Sequence, residues 1–549
     1  LRAALASLDA RMSALAMERA TLQSHLDTAV RRQAPIYRLP GELLSSIFTM
    51  GVLGHPEDSL MVTVLMLVCR GWNRIALETP ELWAKIVLVL PSHPTTTANA
   101  QAHSLSLSRA RQRLIRSKSS PLDITVRFAE NVLTQTHSQP EPQAHGPLPP
   151  SPEQLLLKAM DIVLPSLWRA RCLTLLVPSK ALAYRALARC SRESAPVMET
   201  LVVKVVRGMW DGGDWELSMR EGGGTTGTGV AMPMFNNDTP MLRCVSFSSL
   251  NIGWDLGKRS SPQIMQNLRH LSLSGYFNAG SPSVDSLLSV LRTCPELQTL
   301  ELRNMSDVDI EGCHSPFSDN EDYFGSGSGS GSSSVHLPRL TKLVFNNSGI
   351  VRTLLLMHQL TYPSLRSLEL SFLQNITPVL DALYETSLTR LPLRVLRVES
   401  SWFDIARMGA LLRRLNGLRE LVFVDVEDMG TLSSTRPWVL PNLSSLTLDS
   451  CTAFTWDALR TLVESRLPPD TTPRSMAAIP HQNQPPKYPT SSASAAAAVF
   501  ASSKASTSAY PLPVPGAKRL SYVDVTRCVQ ISKEMVQWLR MYVDEVACD

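Results

Sequence analysis

Four kinds of chemistry leave recognisable residue spacings: phosphate cradling, nucleophilic hydrolysis, metal ligation and thiol redox. The run Gly222-Gly-Gly-Thr-Thr-Gly-Thr-Gly has the glycines of a phosphate loop. It lacks the Lys-Ser/Thr ending that reaches phosphate and Mg²⁺, and no strand pattern precedes it, so it reads as a loop. The eleven histidines include no H-E-x-x-H pair, and His137 and His145 lie in a Pro-rich stretch. No G-x-S-x-G elbow is present. The nine cysteines stand singly, without a C-x-x-C pair. That argues against a zinc ribbon, a built-in RING, a thioredoxin motif or a disulfide framework, and suits a reducing compartment. The expectation is a non-catalytic chain with no cofactor and no metal.

With no catalytic groups to position, the elements are read for surfaces. A chain of 549 residues, 44% hydrophobic and 18% charged, suits several domains or one elongated repeat array. A net charge of +5, spread along the chain apart from Arg109 to Lys118, does not point to nucleic acid. The longest apolar run, Leu60 to Cys69, is too short to span a bilayer. The first residues lack the pattern of a signal peptide, although the chain does not begin with Met. The sequons at Asn304, Asn346, Asn375 and Asn442 therefore read as chance, and a cytoplasmic or nuclear place is expected.

The stretch Pro35 to Ile86 carries the densest pattern. Pro40 stands where a helix begins, and behind it Leu43, Leu44, Ile47 and Phe48 recur at helical spacing. A second stripe runs Leu60, Val64, Leu67, Val68, a third carries Trp72 and Ile75, and the Thr79-Pro80 step ends the helix. About 50 residues have too little interior to bury all this surface, so some of Leu39, Leu43, Phe48 and Trp72 should meet another molecule. Leu39-Pro40-Gly41-Glu42-Leu43-Leu44-Ser45-Ser46-Ile47-Phe48, then Val68-Cys69-Arg70-Gly71-Trp72 and a closing Leu82-Trp83, resembles the F-box. The gap between the halves, Thr49 to Ser59, is a few residues longer than in the commonest members. An ordinary small helical subdomain is the plainer alternative.

Residues 1–33 read as one helix with a heptad seam of Leu5, Leu8, Met12, Leu15, Leu22, Leu26 and Ala29, with Arg19 filling one seam position. It is either a coiled coil that self-associates or an amphipathic helix folded back on its own chain. Residues 34–88 are the F-box-like domain, and 89–120 a linker with a basic helix. Pro121 to Phe128 alternates as a strand.

From there to residue 549 a phrase L-x-x-L-x-L recurs. It stands at Leu242, Leu268, Leu297, Leu340, Leu365, Leu393, Leu418, Leu443 and Leu520, with weaker copies at Ala170 and Met198. The middle leucines Leu368, Leu396, Leu421 and Leu446 are 28, 25 and 25 residues apart, within the period of leucine-rich repeats. The expected fold class is therefore α/β: an N-terminal helix, a three-helix F-box, and an irregular solenoid with a parallel concave sheet and outer helices such as 284–291 and 405–415. Cys451 and Cys528 follow their strands where such repeats often carry Asn or Cys. Insertions near 208–240, 306–336 and 466–515 interrupt the period. Ser318, beside Asp319, Glu321 and Asp322, is a candidate for acidophilic phosphorylation, with a solubilising loop the plainer reading. Ile531 to Val546 reads as a capping helix with Ser532 as N-cap.

The resemblance implies a substrate-receptor subunit of an SCF-type, cullin–RING ubiquitin ligase. A Skp-type adaptor would bind Leu39, Pro40, Leu43, Leu44, Ile47, Phe48, Val68, Cys69 and Trp72. An unknown protein target would lie on the concave strand face, at Glu301, Arg303, Glu369, Ser371, Arg397, Glu399 and Asp449. Glu369 and Arg397 fall at the same place in successive strands, where a surface ion pair is the plainer explanation. The competing reading is a leucine-rich scaffold without a ligase role. A heptad helix before an F-box with irregular repeats behind it is similar to the F-box families of mushroom-forming fungi.

Overall fold

The computed structural model describes residues 2–33, 35–54, 61–91, 97–129, 150–206, 234–250, 265–276, 281–305, 334–386, 391–426, 440–452, 455–467 and 517–548. The three expected insertions fall almost wholly outside these residues, as do Ser318, the Gly222 run, His137 and His145. The chain divides into two compact units, residues 1–211 with 233–241, and 212–232 with 242–549.

The first unit begins with one helix, α1 (Arg2–Gln33), followed by a 3₁₀ turn at Pro35–Arg38. Next come α2 (Gly41–Gly54), α3 (Met61–Val68), α4 (Arg70–Glu78) and a second 3₁₀ turn at Pro80–Trp83. Pro40 lies just outside α2, where its carbonyl accepts from the amides of Leu43 and Leu44. The chain leaves α4 at Thr79, the residue before Pro80, as the proline's steric demand requires.

Two residues beyond Trp83 the chain enters β1 (Lys85–Leu90). After α5 (Thr97–Arg116) comes β2 (Leu122–Phe128), and after α6 (Pro152–Val163) comes β3 (Ala170–Val177). Helix α7 (Lys180–Cys190) then leads to β4 (Thr200–Val205). These strands are parallel and adjacent in chain order. Their inward rows align as Ile86, Ile124, Leu173, Leu201 and as Leu88, Val126, Leu175, Val203, all fully buried.

Residues 89–120 are thus more than a linker with a basic helix. The end of β1 lies there, and Arg113 of α5 donates to the Lys85 carbonyl at 2.8 Å while Arg116 lies 4.4 Å from the Trp83 ring. Buried Arg169 donates to the Leu114 and Ser120 carbonyls and to Ser117 Oγ, satisfying groups the end of α5 leaves open.

In the second unit the strands are β5 (Cys244–Ser248), β6 (His270–Tyr276), β7 (Thr299–Met305), β8 (Val335–His336), β9 (Lys342–Asn346) and β10 (Leu360–Thr361). They continue as β11 (Ser367–Ser371), β12 (Val395–Glu399), β13 (Glu420–Val424), β14 (Ser445–Asp449), β15 (Tyr522–Asp524) and β16 (Glu545–Ala547). All but β8 and β10 join one parallel sheet in chain order, and those two pair with each other. The intervening helices are α8 (Val284–Arg292), α9 (Ile350–Gln359), α10 (Thr377–Thr386), α11 (Ile405–Arg414), α12 (Trp456–Glu464) and α13 (Lys533–Tyr542).

Each L-x-x-L-x-L phrase of this unit supplies a strand. Leu300, Leu343, Leu368, Leu396, Leu421 and Leu446 form one register row, and Leu302, Phe345, Leu370, Val398, Phe423 and Leu448 the next. All are buried, as the alternation of side chains along a strand demands when one face is covered. Directly after the strands, Ser249, Asn347, Phe372, Ser400, Asp425 and Ser450 adopt φ between 43° and 60°. Asn and Asp accept this left-handed turn more readily than most residues, as at Asn347 and Asp425. Cys451 and Cys528 are buried beyond their strands, their thiols donating to the carbonyls of Phe423 and Leu448. Burial pushes the Cys451 thiol up to about 11, so it serves as a donor rather than a nucleophile.

The last expected helix is shorter than its apolar stripe implied. Ser532 caps α13, but the backbone turns extended at Val543 and residues 545–547 pair with β15. Trp538 packs edge-on against Trp456 at 5.3 Å, which anchors α13. Buried Arg466 donates to the carbonyls of Leu440, Leu443 and Lys518. Burial lowers its pKa to about 10, still far above neutrality.

Among the described residues no helix is long and apolar enough to cross a membrane.

Candidate functional site

The helices α2, α3 and α4 close on a small core. Leu44, Phe48, Val62, Leu65, Ala76, Leu82 and Trp83 are buried together, with Val52, Met66, Trp72 and Ile75 packed around them. The Phe48 and Trp72 rings sit 4.8 Å apart, tilted by 53°, a favourable aromatic geometry. Trp83 Nε1 donates to the Ala76 carbonyl at 2.8 Å, which allows a buried indole to be satisfied.

Three polar contacts cap α4 and tie it to its neighbours. Cys69 caps α4, its Sγ accepting from the Trp72 amide at 3.4 Å. Asn73 Nδ2 donates to the Met66 carbonyl, tying α4 to the end of α3. Thr79 Oγ1 donates its one proton to the Ile75 carbonyl at 2.7 Å, so Ser45 Oγ must be the donor in the 2.8 Å bond between the two hydroxyls.

The expected adaptor residues divide between two faces of this bundle. Leu44 and Phe48 point into the core, and Trp72 is half-buried over Phe48. Cys69 is half-buried as a cap. Leu39, Pro40, Leu43, Ile47 and Val68 face outward, Leu43 at 52% and Ile47 at 47% exposure. Met50, Val64, Leu67 and Leu77 join this outer face although the sequence reading did not assign them to it. The signal was present in α3: seven of its eight residues are apolar, yet only Val62 and Leu65 are buried. The outer residues of α2, Leu43, Ile47 and Met50, recur every three or four positions and form one stripe. Exposed apolar side chains this numerous on a small bundle make it a candidate interaction surface.

In the second unit, the expected target-facing residues are held by one another. Arg303 lies 3.5 Å from both Glu301 and Glu369, and Lys342 Nζ is 3.0 Å from Glu301. Arg397 bonds Glu399 of its own strand at 2.7 Å. The Glu369–Arg397 pair expected from register is therefore not the one formed, although the two residues are register neighbours. A long guanidinium side chain reaches a carboxylate two residues along its own strand as easily as one across it. Ser371 is fully buried, its Oγ 3.5 Å from Glu399, and offers no surface. Asp449 is bonded to Arg527 through two guanidinium nitrogens.

Burial raises the Glu301 carboxyl, but Lys342 and Arg303 outweigh it and hold the group below its usual range. Asp449 is likewise depressed, chiefly by the hydrogen bond from Arg527. Lys342 and Arg527 escaped the sequence reading. Lys342 occupies the first outward position of a repeat, and that position alone did not single it out.

A family model described as F-box-like matches residues 36–89. Its span covers the bundle just described and runs into β1. No curated protein matches the chain.

Proposed function

We infer that this chain is a substrate-recognition subunit of an SCF-type, cullin–RING ubiquitin ligase. The carrying observation is the F-box-like match over a bundle that turns Leu39, Leu43, Ile47 and Val68 to solvent. These residues, with Pro40, Met50, Val64 and Leu67, dock a Skp-type adaptor. Leu44, Phe48, Cys69 and Trp72 contribute by holding the helices at the angle that presents them. The sheet of the second unit reads as irregular leucine-rich repeats, on the strength of the phrase spacing and the aligned leucine rows. Its outward strand face, around Glu301, Arg303, Glu369, Arg397, Glu399 and Asp449, receives a protein target.

The mechanism is proximity. The receptor contributes no acid, base or nucleophile; it holds the target beside the ubiquitin-charged enzyme and raises its effective concentration. A cytoplasmic or nuclear site of action follows from that role.

The test is a pull-down of the purified full chain with a Skp-type adaptor, beside a Leu43→Asp/Ile47→Asp variant. Both substitutions lie on the exposed face and leave the bundle core intact. Capture of the intact chain but not the variant is expected. Failure of the intact chain to bind would overturn the reading and leave a leucine-rich scaffold.

A further inference from the structure

Helix α1 is folded, yet its seam covers nothing among the described residues. Leu5, Leu8, Met12, Leu15, Leu22 and Leu26 are each between 56% and 63% exposed. The folded-back alternative requires that seam to be buried on the chain, and it is not. A row of leucines at alternating three- and four-residue steps is the seam of a two-stranded coiled coil, with Leu8, Leu15 and Leu22 at d and Leu5, Met12, Arg19 and Leu26 at a.

We propose that α1 joins this chain to a second copy of itself as a parallel, in-register coiled coil, with Arg19 of each copy seated beside Glu18 of the other. In a parallel pair each a side chain enters a hole formed by the preceding d and g, the same a, and the following d of the facing helix. For Arg19 that hole is Leu15, Glu18, Arg19 and Leu22 of the second copy. The surface of α1 carries an indentation lined by Leu15, Glu18, Arg19, Leu22, Gln23 and Leu26. The hole is therefore present on the single helix, with an acid on its wall to meet the incoming guanidinium. Among the described residues neither Glu18 nor Arg19 makes an ion pair within the chain, so both charges are available to the second copy.

Charge also decides the orientation. The antiparallel register that overlaps every seam layer puts Leu5 opposite Ala29, Leu8 opposite Leu26 and Leu15 opposite Arg19. It then brings the two Glu18 residues together on one flank and leaves Arg19 against leucine. The parallel register instead forms the Arg19–Glu18 contact twice, which offsets the cost of two arginines in one layer. A single charged a position also discriminates against shifted registers, which would bury Arg19 opposite a leucine.

The consequence rests on the receptor reading. Only the turn at Pro35–Arg38 and a few flanking residues separate the end of α1 from α2. A parallel pair therefore carries both F-box-like bundles at the same end, and a target with two epitopes gains avidity.

The test is the mass of the purified full chain by sedimentation equilibrium across micromolar concentrations. The intact chain is expected at twice the chain mass, and Leu15→Asp/Leu22→Asp at the chain mass with unchanged far-UV melting of the remaining fold. Arg19→Glu should weaken association by about tenfold or more, because it sets acid beside acid. Glu18→Arg/Arg19→Glu should restore it, since exchange of the two charges rebuilds the same contact. A monomeric intact chain would overturn the proposal. So would a dimer that the Leu15→Asp/Leu22→Asp pair leaves intact, or a charge exchange that fails to restore association. Adaptor binding is read separately: Leu15→Asp/Leu22→Asp keeps it, while Leu43→Asp/Ile47→Asp loses it and still dimerises. Failure of either reading thus leaves the other standing.

Discussion

The outer face of α2 and α3 and the outward face of the second unit's strands are both candidate interaction surfaces, and they are built in opposite ways. On the bundle, Leu43, Ile47, Val64 and Leu67 stand largely exposed to water. On the sheet, Glu301, Arg303, Lys342 and Glu369 already satisfy one another. The first surface gains by being covered, at about 2 kcal/mol or more for each good anchor. A partner of the second must first displace ion pairs that are themselves worth about 0–1 kcal/mol each. Under the proposed receptor role, affinity would come from the bundle, and the sheet would discriminate among targets by matching or opposing its charges.

The largest expected effect divides the bundle itself. Phe48→Ala removes a buried ring packed at a tilt against Trp72 and should destabilise the first unit by about 3–5 kcal/mol. Leu43→Ala, five residues away, should change stability by only about 0.5 kcal/mol or less, because its side chain is half exposed. Chemical denaturation of the two variants checks this contrast. Equal losses would mean that the inward and outward residues have been wrongly separated.

A smaller effect is expected from Thr79→Val, which deletes the hydroxyl linking Ser45 to the end of α4 and should cost about 1 kcal/mol. On the sheet, Arg303→Ala should cost less than about 1 kcal/mol, since its pairs lie at 3.5 Å and remain open to solvent. A loss several times larger would contradict the contrast between the surfaces.

The smallest effect depends on pH. Arg527 holds Asp449 below the usual carboxylate range, so the folded pKa lies below the unfolded one. The pair's stabilisation is then complete above about pH 4 and is lost as pH falls through the folded value. Arg527→Gln should lower the melting temperature slightly at pH 7, and by progressively less as pH falls below about 4. A difference that persists at the lower pH would show that Arg527 acts through packing instead.

The strands of the second unit were legible because each buries alternate side chains and the leucines recur at nearly constant spacing, so Leu368, Leu396, Leu421 and Leu446 align as their phrases do. The F-box-like stretch was legible too, and its expected span of 34–88 nearly coincides with the matched 36–89. Strand β1 was hidden because Ile86-Val-Leu-Val-Leu is apolar at every position, which masks the two-residue period. The division of Leu43 and Ile47 from Leu44 and Phe48 was not legible either. Four apolar residues at i, i+1, i+4 and i+5 make a broad stripe, and which half is buried depends on where α3 and α4 dock. Ion-pair partners such as Arg303 with Glu369 depend on side-chain reach across strands, which spacing does not encode. For α1, the seam was visible but its fate was open until the helix proved exposed.

The most direct test of the account is a calorimetric titration of a Skp-type adaptor into three purified full-length forms: the intact chain, Leu43→Asp/Ile47→Asp, and Arg303→Ala. The account predicts that the intact chain and Arg303→Ala bind alike, and that the double variant loses about 100-fold or more in affinity while keeping its melting temperature. Equal binding by the double variant, or no binding by the intact chain, would contradict the assignment of the outer bundle face as the docking surface.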